Sequence, residues 1–141
     1  DQLSIIEQIA TSESSDVIII QPLTQSCHMR GQQGYSFYSQ KIVYIFGSDS
    51  SAIRGNHANR KSEFVLINVA GSSKVRIKDG CGNETVFSLN RPHTGIYIPA
   101  MVWKEMYDFS KNSVLLCLSS EYYDADEYIR NYDDYVKEQC K

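Results

Sequence analysis

The 141-residue sequence predicts an all-β domain, an antiparallel sandwich or barrel closed by a short C-terminal helix. Three observations predict it. Short runs rich in Val, Ile, Tyr and Phe follow one another closely, separated by Gly, Asn, Asp and Pro. Between these runs no segment has the 3.6-residue apolar period of a packed helix, which argues against alternating strands and helices. In the run 72–78, Val75 and Ile77 alternate with Lys74, Arg76 and Lys78, giving a strand with one wet face.

Along the chain, Leu3, Ile5, Ile6 and Ile9 fit one or two turns of amphipathic helix, and residues 11–15 (Thr-Ser-Glu-Ser-Ser) read as a linker. Residues 1–15 are therefore an N-terminal extension or linker, and 16–141 the folded domain. Strands are expected at 17–20, 35–38, 41–46, 63–69, 72–78, 84–89, 95–98, 102–106 and 114–118. The turns between them carry the residues that turns demand, as in Asp79-Gly80-Cys81-Gly82-Asn83 and Asn90-Arg91-Pro92. The helix is expected to begin at Asp124, with Asp124 as N-cap and Glu127 at the matching third position. Tyr128, Tyr132 and Tyr135 recur at helical spacing beside Ile129 and Val136, a stripe that packs the helix on the barrel.

A formal net charge of −3 removes the electrostatic case for nucleic acid or an anionic membrane surface. No apolar run approaches the roughly 20 residues of a membrane helix, and no secretory signal is visible. Cys27, Cys81, Cys117 and Cys140 are scattered, without the close pairs of zinc or redox sites, and read as reduced thiols of a cytoplasmic protein, Cys117 within an apolar strand. The chain begins at Asp1 rather than Met, as a piece of a larger protein would.

The chemistry concentrates at Arg54-Gly55-Asn56-His57-Ala58-Asn59-Arg60, at the entrance to the apolar run 63–69. Arginine presents a planar fork that makes paired, charge-assisted hydrogen bonds to phosphate. Histidine transfers protons near neutral pH. The pair points to a phosphorylated ligand held beside a base. The structural alternatives are an arginine paired with an acidic neighbour and a buried histidine satisfied by backbone.

This segment resembles the Arg-Gly-x-His-Ala-His-Lys pattern of the sugar-nucleotide 3,4-ketoisomerases that act on dTDP-4-keto-6-deoxyglucose, the WxcM-like branch of the cupin superfamily, and matches it except at the second histidine. Gly71-Ser72, Leu89-Asn90-Arg91-Pro92, Gly95-Ile96-Tyr97-Ile98-Pro99, Val102-Trp103-Lys104-Glu105-Met106, Asp108-Phe109-Ser110, Tyr122-Tyr123-Asp124 and the run 126–132 carry the resemblance in order across roughly residues 16–136. It implies a cupin-type jelly-roll barrel with the active site in its mouth. It also implies a dTDP-linked 4-keto-6-deoxy sugar as substrate, and a product feeding deoxyamino-sugar assembly for lipopolysaccharide and O-antigen. Relatives are commonly homodimers that exchange N-terminal strands, for which residues 17–20 are suited, and some are fused to an acyltransferase.

Many cupins hold a metal with histidines and a glutamate of a first motif and a histidine of a second. Here Asn59 stands at the second histidine, Glu63 follows, and Lys104 falls where the second motif would place its ligand. An ammonium has no lone pair, and a neutral amide is a poor ligand for transition metals, so the site is read as metal-free and without cofactor. For a keto shift, one base moves a proton between adjacent carbons through an enediol while a polar partner steadies the oxygens. The resemblance implies His57 as that base, with Lys104, Tyr44 and Asn59 as candidate oxygen partners. Arg54 would hold the diphosphate or orient the sugar, Tyr97 and Trp103 would stack on the thymine or line the sugar pocket, and Arg60 and Glu63 complete the substrate-binding set.

Two departures bear on mechanism. Relatives vary between histidine and arginine at the Lys104 position, which the resemblance links to product configuration at carbon 4. Asn59 can neither take nor give a proton, so a two-histidine mechanism is not open to this chain. The competing readings are a sugar-nucleotide epimerase, which shares Arg-Gly-x-His but needs a further acid, and a non-catalytic cupin that binds a nucleotide sugar.

Overall fold

The computed structural model describes residues 39–140, together with the backbone of three short strands, β1 (Gln8–Ala10), β2 (His28–Met29) and β3 (Gln32–Gln33). Strands β4 (Lys41–Phe46), β5 (Arg54–Asn59), β6 (Phe64–Ala70), β7 (Ser73–Lys78), β8 (Glu84–Leu89), β9 (Thr94–Ile98), β10 (Trp103–Tyr107), β11 (Val114–Ser119) and β12 (Tyr128–Ile129) follow, and α1 (Tyr132–Gln139) ends the chain. They form two antiparallel five-stranded sheets, in the orders β1-β9-β6-β11-β4 and β12-β5-β10-β7-β8, beside a β2-β3 hairpin. The expected all-β architecture with a C-terminal helix is present.

The inner faces meet in one core. Phe64, Leu66, Ile96, Ile98, Leu115 and Cys117 of the first sheet pack on Val75, Ile77, Leu89 and Met106 of the second. Each fully buried side chain of this size stabilises the fold by about 1.5–3 kcal/mol, so the inner faces dominate the stability. The alternation expected of 72–78 is observed: Val75 and Ile77 are buried, while Lys74, Arg76 and Lys78 reach the outer face. There Arg76 and Lys78 both pair with Glu105, each at 3.2 Å.

Three expectations are corrected. Gln8–Ala10 is not helical; it pairs antiparallel with Ile96, Gly95 and Thr94, so part of the expected extension belongs to the first sheet. The strands expected at 17–20 and 35–38 lie outside the described residues. The C-terminal helix begins at Tyr132, where Asn131 caps it by accepting from Asp134 N at 3.0 Å. Asp124 caps only a single 3-10 turn, Ala125–Glu127, after which Tyr128 and Ile129 pair with Asn59 and Ala58. Tyr132 and Tyr135 do pack the helix on the barrel, with ring centroids 5.1 and 5.7 Å from that of Trp103.

The third correction concerns the thiols. Cys81 and Cys140 form a disulfide across 59 residues of sequence, because α1 lies over the β7-β8 turn. Sequence spacing hid a pair that packing brings together. A crosslink of this span stabilises by about 2–4 kcal/mol. Reduction, or the double change Cys81→Ser/Cys140→Ser, is therefore expected to lower the denaturant midpoint by a corresponding amount; an unmoved midpoint in both would refute it. No helix among the described residues is long and apolar enough to cross a membrane.

Candidate active site

The β5 segment was not expected to be a strand, because Arg-Gly-Asn-His-Ala-Asn lacks apolar alternation and looks like a turn. It pairs with β10 through an irregularity: Lys104 lies opposite His57, Glu105 opposite Gly55 and Met106 opposite Arg54, so Asn56 is the extra residue. Gly55 and Asn56 both take positive φ, 82° and 55°. In an unbroken strand, residues three apart point to opposite faces. The bulge cancels that parity, and Arg54 and His57 line the same cavity. Glycine is required at its centre, since a Cβ on Gly55 would lie 2.9 Å from the Lys104 carbonyl oxygen.

The cavity has a volume of about 260 Å³ and is lined by His57 and Lys104, with Phe64, Leu66, Met106 and Cys117 forming its apolar floor. Lys41, Arg54 and Tyr128 also reach it. His57 Nδ1 lies 2.9 Å from the Gly55 carbonyl, which can only accept, so Nδ1 carries the proton and Nε2 the lone pair. Burial, reinforced by the charge of Lys104, lowers the His57 pKa to about 4, well below the neutral range expected from sequence. The imidazole is therefore a neutral base at physiological pH. Lys104 is buried, and that burial pulls its pKa down to about 7. Its ammonium donates to Asn59 Oδ1 at 2.6 Å and lies 4.5 Å from the centre of the Phe64 ring. Burial also pushes the Cys117 thiol up to about 12, so it stays protonated.

The mouth is cationic and aromatic. The Tyr128 ring lies 4.9 Å from that of His57, and the Arg130 guanidinium stacks 4.6 Å over Tyr128. Lys41 Nζ donates to the Tyr128 hydroxyl at 3.3 Å. Arg54, exposed at the same end, donates through Nε to Ser48 Oγ at 3.2 Å.

The structure thus brings Arg54, His57, Lys104 and Asn59 together, and places the other sequence candidates elsewhere. Trp103 faces outward beneath α1 and donates through Nε1 to Glu105 at 3.0 Å. Tyr97 lies on the outer face of the first sheet with Val65, Ile67 and Leu118, its hydroxyl donating to Glu63. Arg60 is an outer clasp on α1, paired with Glu138 at 3.0 Å. Tyr44 is exposed on the outer side of β4 and borders a separate shallow groove with Arg54. Lys41, Tyr128 and Arg130 were not singled out; Tyr128 had been read as part of the helical stripe. Asn59 and Glu63, the donors nearest a metal motif, are directed to Lys104 and Tyr97 respectively.

A two-sheet barrel that sets His57 opposite the buried Lys104 in a small, largely apolar cavity defines a cupin-type protein. The family described as FdtA, WxcM-like, C-terminal matches residues 19–140, and the chain belongs to it. It is similar to the TDP-4-oxo-6-deoxy-alpha-D-glucose-3,4-oxoisomerase of Aneurinibacillus thermoaerophilus, 40% identical over 101 residues that cover 72% of each chain. A 3,4-ketoisomerase from Helicobacter canadensis superposes with a TM-score of 0.84 at 30% identity, over 97% of this chain and 98% of that one. The TDP-quinovose 3,4-ketoisomerase WlaRB of Campylobacter jejuni does so with a TM-score of 0.78 at 33% identity, over 94% and 98%.

Proposed function

We propose that this chain is a sugar-nucleotide 3,4-ketoisomerase that moves the ketone of a dTDP-linked 4-keto-6-deoxyhexose from carbon 4 to carbon 3. The observation that carries the reading is the facing of His57 and Lys104 across one cross-strand pair in a largely apolar cavity. Side chains so paired start only about 4.5–5.5 Å apart at Cβ, close enough to act on adjacent atoms of one sugar ring.

His57 Nε2 takes the proton from carbon 3. The electrons of that bond form a double bond between carbons 3 and 4, and the carbonyl π electrons move to the oxygen on carbon 4. Lys104 protonates this oxygen, giving a neutral enediol and an amine. The amine then takes the proton of the carbon 3 hydroxyl as the imidazolium returns its proton to carbon 4. The product is a 3-ketone, and both groups regain their starting protonation. Asn59 holds the lysine and exchanges no proton. The cavity takes the sugar ring alone, so the diphosphate lies at the mouth, where Arg54, Lys41 and Arg130 supply positive charge. Tyr128 offers its face to the ligand there.

Incubation with dTDP-4-keto-6-deoxyglucose in deuterated water, followed by NMR, tests the reading. Migration of the ketone to carbon 3 is expected, with deuterium at carbon 4 only to the extent that the His57 imidazolium exchanges with solvent before returning its proton. Exchange with the ketone unmoved would indicate an epimerase, and binding without either change a non-catalytic protein.

The same reading extends to assembly and context. Ile42, Tyr44 and Phe46 are exposed side by side on the outer face of β4, an apolar surface that a second copy would cover, with exchange of N-terminal strands. Light scattering is expected to give twice the chain mass; a monomer would overturn this. A 3-ketone is the form that transamination consumes, which fits cytoplasmic deoxyamino-sugar assembly for surface glycans, with an acyltransferase as fused or separate partner.

A further inference from the structure

A lysine side chain has many rotamers, and an acid that must meet one oxygen needs something to hold it. The hold on Lys104 extends two residues deep. Asn59 Oδ1 accepts from Lys104 Nζ at 2.6 Å, while Asn59 Nδ2 donates to Glu127 Oε1 at 2.8 Å. Reversing the amide would set two donors against each other at Lys104 and two acceptors at Glu127, so the carboxylate fixes which end of Asn59 faces the lysine. Glu127 is itself buried and anchored: Oε2 accepts from Lys61 N at 3.0 Å and Ser62 N at 2.9 Å, and Oε1 accepts from the Ser62 hydroxyl.

Charge points the same way. The ionisable groups facing Lys104 are His57 from β5, Lys41 from β4, Cys117 from β11, Tyr128 from β12, Arg54 at the mouth and Glu127 behind Asn59. His57 and Cys117 are neutral at physiological pH, and Lys41 and Arg54 are cations. Glu127, held ionised by its donors against the opposing effect of burial, supplies the negative charge.

We propose that Glu127 is a positioning residue of this site, which orients the Asn59 amide and thereby holds the Lys104 ammonium opposite His57 while supplying its counter-charge. The proposal rests on the reading of Lys104 as the oxygen-side acid. A purely structural Glu127, tying the 3-10 turn to the start of β6, would change stability alone.

The test follows the Lys104 side chain directly, by NMR titration of lysine carbon ε, its signal assigned by its loss in Lys104→Met. Glu127→Gln is expected to lower the Lys104 midpoint by about one unit. Asn59→Leu, which leaves the Lys61 and Ser62 anchors of Glu127 in place, is expected to lower it at least as far, and Glu127→Asp to restore it. The basic limb of kcat/KM for ketone migration should shift with the midpoint in Glu127→Gln. Unmoved midpoints in both variants overturn the proposal, as does a basic limb that ignores a moved midpoint. If Glu127→Gln does not fold, Asn59→Leu decides. Absence of ketone migration in the unmodified protein overturns the functional reading instead, and the titration still decides the positioning.

Discussion

His57→Asn is expected to lower kcat for ketone migration by about 10²–10⁴, the range a positioned general base contributes, with little change in KM or thermal midpoint. Asparagine suits the test because its amide can still donate to the Gly55 carbonyl that now holds Nδ1–H, 2.9 Å away. The bulge therefore keeps its internal hydrogen bond while the lone pair at Nε2 is lost. The pH profile supplies a second check. Burial and the nearby lysine hold the His57 pKa at about 4, so the base is competent above that pH and is lost as pH falls through it. The acid is Lys104 with a pKa of about 7, present below that value and lost as pH rises through it. A bell between these limits is expected for kcat/KM, its basic limb responding to Glu127 through Lys104. An asparagine variant with full turnover would remove His57 from the mechanism.

Much of the fold was legible in the sequence because strand type and turn type follow local composition. The apolar runs at 63–69, 72–78 and 114–118 became β6, β7 and β11 within a residue or so. What failed had identifiable causes. Strand β5 is polar and interrupted by positive-φ residues, so pattern alone reads it as a turn; its strand character comes from pairing on both sides, with β10 and β12. The expected helix start at Asp124 followed real capping chemistry, but that chemistry serves a 3-10 turn, and Glu127 was drawn inward by Ser62 and Asn59.

The site divides in the same manner. Residue type marked Arg54, His57 and Lys104, since few side chains can bind phosphate or move protons. Facing decided the remainder, and part of it followed from strand parity. Trp103 and Lys104 are neighbours on β10, so only one can point inward, and Lys104 does so with Met106. The same parity turns Tyr44 outward once Lys41, Val43 and Ile45 line the cavity. Tyr128 and Lys41 had no comparable local signal. Their place depends on β12 and β4, each the edge strand of its own sheet, meeting at the same mouth, which is a property of the topology.

Lys104→Met is expected to abolish most activity and yet to stabilise the protein at mildly acid pH. The activity loss should be about 10²–10³ in kcat, the usual consequence of deleting a donor aimed at a developing oxyanion. The stability gain follows from linkage. Burial lowers the Lys104 pKa from 10.5 to about 7, so between these values the unfolded chain holds a proton that the folded chain has released. Stability from this group therefore rises with pH across that window, and below about pH 7 the full cost of a buried ammonium is present. Methionine has similar length and no charge, and exchanging a buried charge for a packed apolar side chain recovers about 1–4 kcal/mol. Against this stands the Asn59 Oδ1 acceptor, which loses its partner at 2.6 Å at a cost of about 1–3 kcal/mol. Near pH 6 the charge relief is the larger, for a net gain of about 1 kcal/mol; near pH 10 the relief has gone, the orphaned acceptor remains, and the variant should be the less stable protein. Denaturant midpoints of both proteins across this pH range would show the crossing. Parallel curves, or a variant weaker at every pH, would mean that Lys104 is not a buried charge held against its own solvation. A lysine whose removal strengthens the fold while silencing the reaction is retained for what it does to the sugar oxygen.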